Sequence, residues 1–389
     1  MTRSIVVQTE LRDPSAAGAA LGAEIAAALA PATQSDALML FASPSYSFAP
    51  LLESLTDACH PKVLVGCSSA GEFTNEKNLS AAACAVAIVS NQMLFSAGVA
   101  EDVTADRNLS ARRLINGFAG LNSNTFEYRS ALVLSDVLAG YTEDLLEQLT
   151  LLTGGRYQIF GGGAGDDERF QRTHVFFGTR VLTNAAVALE ILSTKPVGIG
   201  VSHGWLPAGA AMRVTEADGM RVVGLNAIPA VEMFAEHAES TGQSFDRGNP
   251  VPFFLHNVLG IETGGGYKLR VPLGIDATGA VLCAAEIPAG SLVRIMQTSH
   301  TSASGAASSA ARAALGQLQG NAASAALFFD CAATRLRMGR EFGLELDAVT
   351  EALQPAQYAG CNTYGQMARV TGQFSGFHNC TAVVCVFPE

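Results

Sequence analysis

At 389 residues the chain is long for one hydrophobic core, and two domains of ordinary size are expected. Hydrophobic residues make up 49% of it, charged residues only 15%, and there are 39 glycines, a balance that excludes disorder and points to large buried sheets under closely packed helices. The net charge of −11 excludes the basic surfaces that hold nucleic acid or anionic membranes.

No stretch approaches 18 uninterrupted apolar residues, and Met1-Thr-Arg-Ser-Ile-Val-Val-Gln8 lacks the apolar segment of a signal peptide. A soluble, cytoplasmic protein is expected. The eight cysteines, Cys59, Cys67, Cys84, Cys283, Cys331, Cys361, Cys380 and Cys385, show no CxxC spacing. They read as reduced, mostly buried thiols.

In chain order, the N-terminal half alternates strands and helices. Ile5–Gln8 is a short strand, Pro14–Leu29 an Ala-rich helix, Ala37–Phe41 a buried strand, Phe48–Ala58 a helix and Val63–Gly66 a strand. Ala81–Val89 and Met93–Val99 are expected to pair as a hairpin across Ser90-Asn91-Gln92. After a helix at Leu109–Phe118 the β-α-β pattern resumes at Ser130. Asp36-Ala-Leu-Met-Leu-Phe41, Leu51–Leu55 and Val63–Glu72 can be laid over Ser130-Ala-Leu-Val-Leu-Ser135, Leu145–Leu149 and Tyr157–Asp166. Units at about 36–100 and 130–193, each closing in a hairpin (the second at His174–Ser193), therefore suggest a duplication about a pseudo-twofold axis. It would relate Ala70-Gly71-Glu72 to Ala164-Gly165-Asp166.

Neither glycine-rich loop is an enzyme motif. Gly161-Gly-Gly-Ala-Gly165 runs on into another strand, with no helix N-terminus to receive a pyrophosphate. Gly66-Cys-Ser-Ser-Ala-Gly71 is one residue too long for a nucleophile elbow. No base and nucleophile pair emerges, and no enzymatic activity is expected.

Val197–Pro207, with the only Trp beside His203, ends this half, and Ala208–Met220 is expected to be a linking hairpin. The second half is more β-rich: a helix at Ala230–Ala238, strands at Phe253–Leu259, Tyr267–Val271, Val281–Ala285 and Leu292–Thr298, a helix at Ser302–Leu318, a strand at Ser324–Phe329 and a short helix at Cys331–Met338. The fold class is α+β or α/β: two mixed domains with large buried sheets, at 1–207 and 208–389. The chain closes on Thr381-Ala-Val-Val-Cys-Val-Phe387, an apolar run that reads as core. Immediately before it stand Gly376, His378, Asn379 and Cys380, polar groups at the mouth of a buried sheet, where open α/β folds hold small molecules.

Leu64–Glu72, Gly161–Asp166, Gly198-Ile-Gly-Val-Ser-His-Gly-Trp205, Phe328-Phe-Asp-Cys-Ala-Ala333 and Gly376-Phe-His-Asn-Cys-Thr381 resemble, nearly end to end and in order, the FIST N and FIST C domains of bacterial sensory proteins. The Cys361-Asn-Thr-Tyr-Gly-Gln366 and Gly376–Thr381 pattern is similar to the NosP subfamily. That resemblance implies a b-type haem, nitric oxide as the signal, and regulation of a separate sensor histidine kinase or a cyclic-di-GMP enzyme (diguanylate cyclase or phosphodiesterase), with biofilm control downstream.

A b-type haem needs an apolar slot and an axial His, Cys or Tyr. Of the seven histidines, His378, His203 and His256 have apolar company and rank in that order, with Tyr364 and Cys380 in reserve; His378 is the first candidate for a metal. The alternative is a receptor for a small polar metabolite such as an amino acid, gripped by Glu72, Asp166, Arg369 and Asn379 with Tyr364. A third reading is a metal or iron–sulfur site at Cys67, Cys361 and Cys380. Oligomeric state is left open.

Overall fold

The computed structural model describes residues 1–123, 125–370 and 375–389. Among them, three mixed sheets repeat one design. In the first, strand Thr2–Thr9 leads to helix Pro14–Leu29; the parallel strands Ala37–Ala42 and Leu64–Ser68 are joined by helix Phe48–Cys59; and Ala83–Ser90 returns antiparallel between Thr2–Thr9 and Ala37–Ala42. The second repeats this order with strand Met93–Glu101, helix Arg107–Ile115, strand Tyr128–Ser135, helix Thr142–Leu152, strand Gln158–Gly163 and return strand Ala185–Ser193. The third uses strand Gly198–Ser202, helix His300–Gly316, strand Ala323–Cys331, helices Ala332–Met338 and Gly343–Leu353, strand Gln357–Thr363 and return strand Ala382–Pro388.

The recurrence is thus threefold, where sequence spacing suggested a twofold duplication. The third copy was hidden because its first strand is separated from its first helix by a long insertion. The chain is a mixed α/β fold with large buried sheets, as expected.

The units are locked together by exchange. Glu72–Thr74 of the first pairs with Gln357–Thr363 of the third, Val175–Phe177 of the second with Leu64–Ser68 of the first, and Gln366–Arg369 of the third with Gln158–Gly163 of the second. At each crossing a glycine faces a large side chain: Gly360 opposite Phe73, Gly66 opposite Phe176, Gly161 opposite Met367. A Cβ at these glycines would overlap the carbonyl oxygen of Phe328, Leu40 or Val133 on the neighbouring strand, so only glycine lets the strands close.

Side-chain alternation explains the core. Met39 and Phe41, Leu132 and Leu134, and Leu327 and Phe329 point inward and meet in one central cluster. Leu38 and Leu40, Val133, and Ala326 and Phe328 point outward under each unit's own helices. Buried on both faces, these strands read as unbroken apolar runs. The C-terminal strand is among them, with Val383, Val384, Cys385, Val386 and Phe387 fully buried.

Two expected pairings differ. Ala83–Ser90 and Met93–Glu101 are both strands, but they lie in different sheets, so Ser90-Asn91-Gln92 is a crossover between units. In the second unit, Val175–Phe177 pairs with Arg180–Leu182, while Ala185–Ser193 goes to another sheet. In each case the continuous apolar run finds burial on both faces only by joining a full sheet.

Between Gly198–Ser202 and helix His300–Gly316 the chain builds a separate lobe around a nine-stranded sheet. Its core gathers Phe234, Phe253, Phe254, Leu259 and Ile295. The expected strand Phe253–Leu259 is instead a helical turn, Val251–Phe254, followed by strand Val258–Thr263; prolines 250 and 252 set φ for a first helical turn. The linking hairpin expected at Ala208–Met220 is instead the first strand and turn of a hairpin of the lobe sheet, Met212–Asp218 against Arg221–Leu225. Among the described residues no helix is long and apolar enough to cross a membrane.

Candidate functional site

The loop after Gln158–Gly163 begins with Asp166, whose buried carboxylate accepts the backbone N–H groups of Phe170, Gln171 and Arg172, each at 2.8 Å. It also accepts the hydroxyl of Tyr364. Burial alone would raise this carboxyl, but the N–H groups and the hydroxyl outweigh it and hold Asp166 below the usual carboxylate range. Burial and the same carboxylate push the Tyr364 hydroxyl up. The pair therefore rests as carboxylate and neutral phenol. The knot tolerates positive φ at Asp167, Glu168 and Phe170 (54°, 65° and 51°), conformations that cost non-glycine residues free energy. It presents the Phe170 ring flat against Tyr364, centroids 4.3 Å apart.

Phe170 and Tyr364 form part of one wall of a cleft of about 1000 Å³ between the three-unit body and the lobe. The body also contributes Val137, Leu138 and Tyr141 from the short turn before helix Thr142–Leu152, and the floor holds Ala333 and Leu336 of helix Ala332–Met338. The lobe contributes Met220 at a hairpin tip, Leu273, and Leu282 with Cys283. Leu138, Tyr141, Phe170, Met220, Leu273 and Leu336 are each 39–50% exposed. Contiguous solvent-facing apolar surface of this kind marks a binding site.

The charged groups of the lining are Glu168, Asp218 and Arg221. Arg221 binds Asp276 at 2.9 and 2.6 Å and lies 3.5 Å from Asp218. Burial holds the Glu168 carboxyl up, with Arg335 opposing.

Of the residues singled out from sequence, Tyr364 and Asp166 come together at this cleft. His378 lies elsewhere, 1% exposed at the end of strand Ser375–His378, on a separate recess of about 540 Å³ shared with Ser202, Thr263, Lys268 and Ser309. Burial, then Lys268, Arg270 and His203, hold its imidazole neutral. His203 is half-buried, with Nε2 3.0 Å from the Tyr267 carbonyl and Nδ1 accepting the Trp205 N–H. Burial lowers its pKa too. Cys380 packs with Trp205, and its thiol is hydrogen-bonded to that of Cys331. Asn379 is buried, its Oδ1 accepting the Val271 N–H at 3.4 Å.

The remaining three are scattered. His256 is exposed on the turn after Val251–Phe254. Arg369 is spent on the carbonyls of Gly155 and Tyr157, both at 3.1 Å. Glu72 is buried in its exchanged strand, accepting the Ser69 hydroxyl and the Ala82 N–H, and burial pushes its pKa up to about 7.

Cys67 and Cys361 meet, but Cys380 pairs with Cys331 instead. Among the described residues no group of three or more His, Cys, Asp or Glu side chains is arranged to hold a metal ion. The iron–sulfur expectation is corrected accordingly.

What the sequence did not flag is the apolar lining itself. The available signal was large apolar residues inside turns: Phe170 in an acidic loop and Met220 after Asp218-Gly219.

The sequence matches the FIST N domain over residues 36–228 and the FIST C domain over 230–369. The chain belongs to the FIST family of sensory proteins. This FIST protein is 24% identical over 236 residues to uncharacterized proteins of Mycobacterium bovis and Mycobacterium tuberculosis, covering 59% of its own length. It spans about 60% of the length of those relatives. Among solved structures it is similar along the whole of both chains to cyanuric acid hydrolase from A. caulinodans, at 8% identity and a TM-score of 0.39, too distant a likeness to bear on activity.

Proposed function

We propose that this FIST protein is a sensor that holds a small, largely apolar ligand in the cleft between body and lobe and reports its occupancy to a separate protein. The observation that carries this reading is the gathering of solvent-facing apolar side chains into one concavity. Such surface gains roughly 25 cal/mol per Å² when a ligand removes it from water. A ligand touching Phe170 on the body and Leu273 on the lobe favours the arrangement that holds those walls together, and that differential affinity is what a partner could read. A histidine kinase or a cyclic-di-GMP enzyme is the proposed partner.

A finer reading, haem-based nitric oxide sensing as in the NosP subfamily, is favoured by the cleft's volume and apolar walls. Bound haem would supply an iron centre for nitric oxide. The residues present do not fit it. His378 and His203 lie on other recesses, Tyr364 is committed to Asp166, burial pushes the Cys283 thiol up to about 12, and the lining's one arginine is already paired with carboxylates.

Absorption spectra of protein purified from haem-supplied cells, with thermal melts in a neutral aromatic probe, separate the readings. A Soret band that shifts with nitric oxide supports haem. A melt raised by the probe in the wild type but not in Leu336→Glu supports the apolar-ligand sensor, and the absence of both responses overturns the proposal.

A further inference from the structure

Charge at the cleft sharpens the class of ligand, and the inference rests on the cleft being the binding site. Among the described residues the walls carry no lysine and no histidine. The one cation among them, Arg221, lies between two carboxylates, with Asp276 at 2.6 Å and Asp218 at 3.5 Å. Asp218 is 81% exposed at its side chain and its charge is shared with that one distant contact, while Glu168 stands on the opposite wall beside Phe170.

The neighbouring shell does not reverse this sign. Arg107 sits over the Tyr141 ring at 5.6 Å and donates to the carbonyls of Ala139 and Gly140. Arg335 donates to the Ala70 carbonyl at 2.9 Å and faces the Glu168 and Asp167 carboxylates. Against them stand Asp167 and Glu286, the latter accepting the Tyr141 N–H at 3.0 Å. Arg169, exposed between Glu168 and Phe170, faces the Asp167 carboxylate. Among the described lining residues an anionic group would find no cation besides the paired Arg221, whereas a cationic group near the mouth would face Glu168, Asp218 and the rings of Phe170 and Tyr141.

We propose that the cleft takes an aromatic or otherwise flat apolar ligand that is neutral or carries a single positive charge, and discriminates against anionic ligands of the same shape. Apolar walls supply affinity, and the acidic rim supplies the choice among charges. Because the rim is partly solvated, the preference weakens as salt rises.

The test is equilibrium binding of three naphthalene probes that differ only in one substituent: trimethylammonium, methyl and sulfonate. The full-length protein is compared at low and high salt with a Glu168→Gln/Asp218→Asn double variant whose fold is checked by circular dichroism. The expected result is that all three probes bind, the cationic one about tenfold more tightly than the anionic at low salt, a difference equal to ~1.4 kcal/mol. The ratio falls toward unity in the double variant. Equal affinities in the wild type overturn the inference while leaving the cleft as a site. A tenfold ratio that survives in the double variant also overturns it, since the overall charge of −11 would then be the cause. If the methyl probe fails to bind, or binds Leu336→Glu as well as wild type, the cleft is no binding site and both readings fall together.

Discussion

The three-unit body and the lobe inserted into it solve the same folding problem in opposite ways. The central strands of the body are buried on both faces; Ala37–Ala42 and Ala185–Ser193 have no exposed residue. The lobe's Met212–Asp218 alternates buried and exposed positions at its start and ends wet, and its ion pairs Arg247–Glu232 and Arg221–Asp276 lie at the surface. The body is held by exchange of strands among its units, whereas the lobe is held by one core of its own. The contrast teaches how the cleft is divided: the body fixes one wall, and the lobe, with a core of its own, brings the other.

Breaking an exchange point should have the largest effect. Gly360→Val drives a side chain into the Phe328 carbonyl and the Phe73 ring, with an expected loss of about 4 kcal/mol. Denaturant unfolding should show the body transition shifted far down, and an unchanged midpoint would refute the closed ring.

Next comes the pH dependence of the body. Burial raises Glu72 to about 7 and Asp330 to about 6, so the folded state holds protons that the unfolded chain has released. The stability these two groups contribute is full below the ordinary carboxylate range and declines as pH rises through about 7. Glu72→Gln should remove part of that decline, raising stability at pH 8 by up to ~3 kcal/mol. Urea melts from pH 4 to 8 measure it, and an unaltered slope would sink the assignment.

At the cleft, Asp166→Ala frees three backbone N–H groups and the loop they hold. A cost of about 2 kcal/mol and faster tryptic cleavage at Arg169 and Arg172 are expected. Tyr364→Phe keeps the stack on Phe170 but loses the hydroxyl bond, costing ~1 kcal/mol. Smallest of all, Arg247→Ala in the lobe should leave Tm unresolved from wild type, because both partners of that pair are solvated.

Legibility in the sequence follows the same division. Helix Pro14–Leu29 could be placed to the residue because Asp13 caps it, accepting the Ala16 N–H at 2.7 Å, and Pro14 fits its first turn. The doubly buried strands announced themselves as apolar runs. Glu72–Thr74 and Gln366–Arg369 did not, because three or four mixed residues become strands only when a partner from another unit supplies the hydrogen bonds. At the candidate site, Asp166 and Tyr364 were each identifiable as polar residues in glycine-rich loops. The grip expected of them together does form between these two, but Glu72, Arg369 and Asn379 of the same set lie apart, and the apolar walls lie on turns from distant segments whose exposure no local pattern encodes.

The exchanged strand Glu72–Thr74 has a consequence for how the chain comes off the ribosome. Its partner, which includes Cys361 opposite Glu72, is synthesised only after the second unit and the lobe, so the first unit emerges with an orphaned edge that nothing already made can cover. Contacts of such long sequence separation slow folding and prolong exposure to aggregation, and this edge stays open until its partner strand has been made.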